Sequence, residues 1–435
     1  EEPADPAETP IPEPAEDPAA IPDLGGGSGE AAGGPESPFS DDLASLAARA
    51  PSGGCLVVSR RGEHLFARNP ETALIPASLQ KLPLAAAALE ILGPDYTFQT
   101  TAMARAEPVG GVLDGDLYLV GGGDPLLSTP SFAAMLTQHG AVGTPLAALA
   151  AELVEAGLSR IEGGVIAVED RYDAFARVPD WPQKYDTQSV AGSINAIAVN
   201  QGYRTPPGIS STWGLLPHPT PALRAATVFD DLLEARSVVI PQSPAVAVRG
   251  GDYRDFVELA NLTSAPLSDY LRYMLSESDN TVAEMLVKEL GLVSAGTGSS
   301  GAGTLAVHGA LADEIPLLAV PADGSGLSPQ NLLTCAQVVE VLDIGGPDGA
   351  VASGLAVAGR SGTMENRYAG TPVEGLVRGK SGSLDGVASL AGFATTTGGG
   401  SLTFAVILNS PSGWIDNNAA GAFFGELLRI LVTHP

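Results

Sequence analysis

Ser78-Leu79-Gln80-Lys81 stands at the head of an Ala/Leu-rich run that continues to Leu92, preceded by Pro76 and closed by Gly93-Pro94. That run reads as a helix. A Ser three residues ahead of a Lys on one helix puts both side chains on one face, close enough for the amine to take the hydroxyl proton. At a helix start, the hydroxyl and its main-chain N–H also sit in the positive field of the helix end, which favours a developing oxyanion. Chance competes: with 33 Ser and four Lys in 435 residues, about 0.3 such spacings are expected at random. Pro83 falls in the early turns, where it forfeits a backbone hydrogen bond and favours a kink.

Two further elements change that balance. Ser278-Asp279-Asn280 lies between two helical runs, Leu267–Leu275 and Thr281–Leu290, and supplies a hydroxyl and an amide on a tight turn. Gly379-Lys380-Ser381-Gly382-Ser383 sits on an expected strand, where small residues let a substrate backbone approach. Ser-x-x-Lys, Ser-x-Asn and Lys-Ser/Thr-Gly in that order make a three-part signature of serine acyl transfer. Two of the chain's four lysines (Lys81, Lys184, Lys288 and Lys380) fall at its two lysine positions.

Look-alikes fit less well. Ser193-Ile194-Asn195 has the Ser-x-Asn pattern without flanking helices, and Arg360-Ser361-Gly362 has an arginine that cannot become neutral. Gly379-Lys380-Ser381 lacks the upstream glycine of a phosphate loop, which is Glu374 here, and no G-x-S-x-G elbow occurs. Asp323-Gly324-Ser325-Gly326 and Gly121-Gly122-Gly123-Asp124-Pro125 read first as turns. Trp181, in Pro179-Asp180-Trp181-Pro182, reads as a core residue ahead of a pocket-lining one.

Around the motifs the chain alternates. A helix is expected over Asp41–Ala50 and a hairpin over Leu56–Val58 and His64–Ala67. Strands are expected at Val377–Gly382, Ala388–Ala394 and Leu402–Leu408, and a last helix at Ala419–Val432. Between about 98 and 263 the pattern changes to short strands such as Asp116–Val120, mixed with helices such as Pro145–Ala156. The expected division is therefore a catalytic domain from 39–97 and 264–435, with 98–263 inserted as two nested units.

Composition bounds the rest. The formal net charge is −28, from 50 acidic against 22 basic residues, which excludes a polyanion-binding surface and makes nucleic acid an unsuitable partner. Ten acids and nine prolines, with no base, fall in residues 1–38. That stretch is expected to be an extended, self-repelling linker without a core. The chain starts at Glu1, so a removed secretion signal or membrane anchor is the natural expectation. No run of 18 apolar residues is present. Cys55 and Cys335 allow one disulfide or two buried thiols, and their separation favours the thiols. His64, His139, His218, His308 and His434 are scattered, and no Cys/His cluster has metal-ligand spacing.

On Ser78–Lys81, Ser278–Asn280 and Gly379–Ser383, with Asp116–Pro125, Asp323–Ser328 and Ser361-Gly362-Thr363, the sequence resembles the class C low-molecular-mass penicillin-binding proteins, the D-Ala-D-Ala carboxypeptidases/endopeptidases. The gap of about 200 residues between the first two motifs is also similar to that family, whose members carry domains inserted there. The resemblance implies an α/β (α+β) penicillin-binding/serine β-lactamase-like fold, with an antiparallel sheet, flanking helices and a helical lobe. It implies an extracytoplasmic enzyme acting on peptidoglycan peptides ending in D-Ala-D-Ala and acylated by β-lactam antibiotics, with no metal or organic cofactor. Jointly with the chemistry, it makes Ser78 the nucleophile and Lys81 its base, kept partly neutral by neighbouring positive charge and burial. Ser278 would relay a proton to the leaving nitrogen, and Asn280 would hold a substrate amide. Lys380 would supply positive potential, Ser381, Gly382 and Ser383 would bind substrate, and the N–H groups of Ser78 and Ser383 would form the oxyanion hole. A serine β-lactamase is the alternative within this chemistry; the long insert and the lack of an acidic deacylation base count against it. A non-catalytic cell-envelope binding protein is the alternative outside it.

Overall fold

The computed structural model describes residues 38–50, 54–204 and 216–434. The expected linker at 1–38 therefore lies, apart from Pro38, outside the described residues. The centre of the fold is a six-stranded antiparallel sheet in the order Ala356–Val357, Val377–Leu384, Val387–Thr395, Ser401–Asn409, Cys55–Arg60, Glu63–Arg68. Arg61-Gly62 closes the Cys55–Arg68 hairpin with both residues at positive φ (54° and 81°), the handedness a two-residue connection needs.

Val387–Thr395 and Ser401–Asn409 read as continuous apolar runs because both faces of the sheet are covered. Val57, Ala391, Phe393, Ala405 and Ile407 face a helical layer that includes Lys81–Leu92, Leu267–Ser276, Asn280–Ala295 and Cys335–Gly345. Leu56, Val58, Leu390, Phe404 and Val406 face the terminal helices Pro38–Ala47 and Asn417–Thr433. One residue of register thus separates two cores.

A second, mixed five-stranded sheet lies between Gln99 and Thr263, in the order Ala245–Val246, Val165–Val168, Leu117–Val120, Gln99–Ala104, Val257–Thr263. It has its own core, shared with Leu146–Glu155 and Pro221–Glu234. A smaller cluster of Tyr172, Val178, Trp181, Ala191, Ile194 and Ala196 packs on Met285 and Leu327, tying this region to the central layer. Glu289, fully buried on the Asn280–Ala295 helix, accepts hydrogen bonds from Arg171, Tyr96 and Tyr172.

The cysteine expectation is corrected. Cys55 and Cys335 are bonded to each other, 280 residues apart in sequence, and no described cysteine is free. Thr334 starts the Cys335 helix with a reciprocal Thr334/Gln337 cap, and the helix packs against the strand that carries Cys55. Among the described residues, no helix is long and apolar enough to cross a membrane.

Candidate active site

The Ser78 segment is not one uniform helix. Ala77–Gln80 is a 3₁₀ turn that runs into the α-helix Lys81–Leu92. This disposes of the expected kink: Pro83 falls in the first α-helical turn, where N–H groups have no intrahelical acceptor. Ala77 and Ser278 hold left-handed backbone (φ 50° and 62°), so strain sits beside both hydroxyls.

Two glycines make the close approach feasible. A Cβ on Gly382 would lie 2.9 Å from Ser78 N and 3.0 Å from Pro76 O, and one on Gly326 would lie 2.0 Å from Ala77 O. The smallness read at Gly382 thus serves the Ser78 turn itself, although Gly382 also lines the cavity described below. Ser389, on the next strand, donates to Pro76 O at 2.8 Å and fixes the turn against the sheet.

Lys81 is fully buried and its amine has three acceptors: Ser78 Oγ at 3.3 Å, Asn280 Oδ1 at 2.6 Å and the Ser325 carbonyl at 2.6 Å. Burial pushes it down from the ordinary ammonium value to about 8, against the raising pull of Asp323, Glu284 and Asp279. Of the two causes expected to keep Lys81 partly neutral, burial is the one that lowers it, while Asp323, Glu284 and Asp279 pull it up.

Asn280 begins the Asn280–Ala295 helix, capped by Asp279, which accepts from Val282 N at 2.7 Å. Its amide is engaged at both ends, Oδ1 by Lys81 and Nδ2 by the Val190 carbonyl at 2.7 Å. Lys380, also fully buried, donates to Ser278 Oγ at 2.8 Å and to the Ser381 carbonyl at 2.7 Å. Burial, then the positive charges of Lys81 and Arg367, holds its pKa well below the ordinary value. Ser381 Oγ donates to Thr363 Oγ1 at 3.1 Å.

The three motifs thus meet at one place. Ser78, Ser278, Ser381, Gly382 and Ser383 line a single cavity of about 680 Å³, with Thr363 and Arg367 on its wall. The arrangement offers a hydroxyl beside a depressed amine, a second hydroxyl on a second buried amine, and a rim of serines beside one guanidinium. It can run acyl transfer, with the proton path and the anion site on separate lysines.

The look-alikes stay apart from this chemistry. Ser193 donates to the carbonyls of Gly202 and His218, and Asn195 Nδ2 donates to Glu169. Trp181 is buried in a core cluster, as expected, donates to Asp323 Oδ2 at 2.8 Å, and lines a cavity separate from the one Ser78 lines, with Tyr185 and Val190. The Asp323–Ser328 turn was undervalued: its Ser325 carbonyl holds Lys81, while Asp323 accepts from Gly326 N, Ser328 N and Asn331 Nδ2. Glu284, entirely buried beneath that turn, had no signal in the sequence beyond its place four residues after Asn280.

Comparison with known proteins agrees with this geometry. The chain is 31 % identical over 439 residues to the D-alanyl-D-alanine carboxypeptidase of Actinomadura sp. (strain R39), covering 84 % of this chain and 78 % of that one. Its fold is similar to that of penicillin binding protein 4 (dacB) from Haemophilus influenzae, with a TM-score of 0.73 at 22 % identity, over 89 % of this chain and 99 % of the other. The same protein complexed with a β-lactam gives a TM-score of 0.70 at 22 % identity, over 90 % and 99 %. The model of the D-Ala-D-Ala carboxypeptidase 3 (S13) family matches residues 41–212 and 215–424. With its three motifs gathered at one cavity, this chain belongs to the D-Ala-D-Ala carboxypeptidase 3 (S13) family.

Proposed function

We propose that the protein is a serine D-Ala-D-Ala carboxypeptidase that cleaves peptidoglycan stem peptides in the cell envelope through an acyl-enzyme, and that β-lactams acylate the same serine. The observation that carries this reading is the hold on Lys81: one buried amine with a depressed pKa touches Ser78 Oγ and is aimed by Asn280 Oδ1 and the Ser325 carbonyl. The neutral fraction of that amine takes the Ser78 proton as Oγ attacks the carbonyl of the terminal D-Ala-D-Ala bond. The N–H groups of Ser78 and Ser383 receive the oxyanion. Ser278, held by Lys380, gives its proton to the departing D-Ala nitrogen and takes in its place the proton that Lys81 had accepted, so the bond breaks to leave a Ser78 ester and a neutral Lys81. Water, deprotonated by Lys81, then releases the acyl group and restores Ser78.

The substrate's terminal carboxylate fits the Ser381, Ser383 and Thr363 hydroxyls, with Arg367 on the same wall. With both ends of its amide engaged, Asn280 acts chiefly by orienting Lys81. If the bond presented is a peptide cross-link, the same steps give an endopeptidase.

Mass spectrometry of the intact protein after exposure to penicillin, and separately to a stem pentapeptide, tests the proposal. The expected results are one penicilloyl group on Ser78, lasting for many turnovers' time, and release of D-Ala. A Ser78→Ala protein that still carries the adduct would sink it. Rapid loss of the drug adduct without D-Ala release would favour the β-lactamase reading, and neither reaction would favour the binding protein.

A further inference from the structure

Glu284 lies one helical turn beyond Asn280, on the same face of the Asn280–Ala295 helix. Asn280 reaches the Lys81 amine directly, whereas Glu284 reaches it through the backbone of one residue, Ser325. Its Oε1 accepts from Gly324 N at 3.1 Å and Ser325 N at 2.7 Å, and the Ser325 carbonyl accepts from Lys81 Nζ at 2.6 Å. The carboxyl is entirely buried, and among the described residues its Oε2 has no hydrogen-bond partner. A carboxyl placed only to cap two N–H groups needs neither that burial nor a charge.

We infer that Glu284 is a positioning residue for the proton-accepting amine of Lys81, acting through the Ser325 backbone and through its own charge. The inference rests on Lys81 being the proton acceptor of the proposed reaction. The groups that bear on the pair are few. Asp323, on the turn, and Asp279, at the helix cap, raise Lys81 alongside Glu284, and Lys380 faces Lys81 from the strand. Glu284 itself is pushed up to about 8, by burial first and by Asp323 second, with Lys81 opposing, and Lys288 lies one turn further along the helix. Glu284 and Lys81 are thus linked, each favouring the charge on the other.

The test is the pH profile of penicillin acylation in full-length wild type, Glu284→Gln and Glu284→Asp. Gln keeps an oxygen for the two N–H groups and removes the charge. With the Glu284 charge gone and only Asp323 and Asp279 left to raise it, Lys81 gives up its proton more readily, so the acid limb of Glu284→Gln is expected about one unit lower. Glu284→Asp keeps the charge but falls a methylene short of the two N–H groups. It is expected to hold the wild-type midpoint with a rate about tenfold lower. A purely structural Glu284 would change the rate or the melting point and leave the midpoint alone. An unmoved or raised midpoint in Glu284→Gln, or a Glu284→Asp limb displaced as far as the Gln one, overturns the inference. If Glu284→Gln does not fold, the infrared spectrum of wild type decides. A buried carboxylic C=O band lost between pH 6 and 9 with the midpoint of acylation supports the inference, and no such band overturns it. Failure of the underlying reading shows differently, as a wild type that forms no Ser78 adduct at any pH.

Discussion

Trp181 donates its indole N–H to Asp323 Oδ2 at 2.8 Å, joining the stretch between Gln99 and Thr263 to the turn whose Ser325 carbonyl holds Lys81. Asp323 has four donors in all, three of them from its own turn and Asn331. Replacing Trp181 by Phe keeps most of the buried ring and removes one donor from a buried carboxylate, which costs about 1–3 kcal/mol. Denaturant unfolding should show that loss, and penicillin acylation should slow by about tenfold as the turn loosens. Acylation at the wild-type rate in a destabilised Trp181→Phe protein would reduce Trp181 to a packing residue.

Gly382 offers a sharper steric test. A methyl group there would sit 2.4 Å from Ser389 Oγ and 2.9 Å from Ser78 N, closer than real contacts allow. The sheet is held by both cores, so the Ser78 turn must give way. We expect Gly382→Ala to fold with a loss of about 1–3 kcal/mol and to acylate at least about 100-fold more slowly, since a shift near 1 Å at a reacting atom has that effect. Intact-mass time courses with penicillin measure it, and an unchanged rate would show that the turn can move without harm.

Lys81 sets the pH dependence. Its burial lowers the amine to about 8, and only the neutral amine can accept the Ser78 proton. Acylation should therefore rise with pH through about 8 and fall by about tenfold per unit well below that. Adduct formation measured from pH 5.5 to 9.5 checks this, and a midpoint under about 6.5 would assign the limb to another group.

How much of this was legible in the sequence follows from what each contact is made of. Ser78, Lys81, Ser278, Asn280 and Lys380 meet through side chains at short, fixed spacings, and helix and turn geometry carries such spacing into space. The Ser325 carbonyl has no such signature, because every residue owns a carbonyl and only the fold aims this one at Lys81. Glu284 looked like any acid on a helix until that turn was seen to cover it. The Ser300–Leu311 helix was masked by Gly301, Gly303 and Gly309, which weaken helical propensity. Gly303 is there for contact: a Cβ on it would lie 1.8 Å from the Val287 carbonyl of the neighbouring helix. The strands Val387–Thr395 and Ser401–Asn409 were legible because unbroken apolar runs need two covered faces, whereas the two-residue edge strand Ala356–Val357 is too short to carry a pattern. The cysteine pairing was not, since it depends on a helix and a strand that meet only in the tertiary fold.

That pairing has its own consequence. The Cys55–Cys335 bond closes a loop of 280 residues and ties the Cys335–Gly345 helix to the sheet. A Cys55→Ala/Cys335→Ala protein should lose about 2–5 kcal/mol of stability, largely through a freer unfolded chain. Neither cysteine touches the cavity that Ser78 lines, so acylation at 25 °C should stay within about threefold of wild type. Chemical denaturation gives the first number and adduct kinetics the second. A large kinetic loss with intact folding would mean that the bond also aligns the Lys81 helix, which packs beside the Cys335 helix.

Lys380 predicts a proton that travels with the substrate. Fully buried between Ser278 and Ser381, it is held well below the ordinary ammonium pKa by burial and by the charges of Lys81 and Arg367. In the free protein it is therefore neutral at pH values where an exposed lysine is charged. A terminal carboxylate seated at Ser381 and Ser383 brings a negative charge against it, which raises its pKa in the complex. Between the two values, binding must take up a proton, and affinity must fall as pH rises past the upper one. Calorimetric titration of Ser78→Ala with a D-Ala-D-Ala peptide over a range of pH, in buffers of different ionisation heat, should show a window of net proton uptake. The C-terminal amide of the same peptide carries no charge to the site and should take up none. Equal uptake by both ligands would place the proton on Lys81 or elsewhere, and no uptake with the free carboxylate at any pH would show that Lys380 is already charged before the carboxylate arrives.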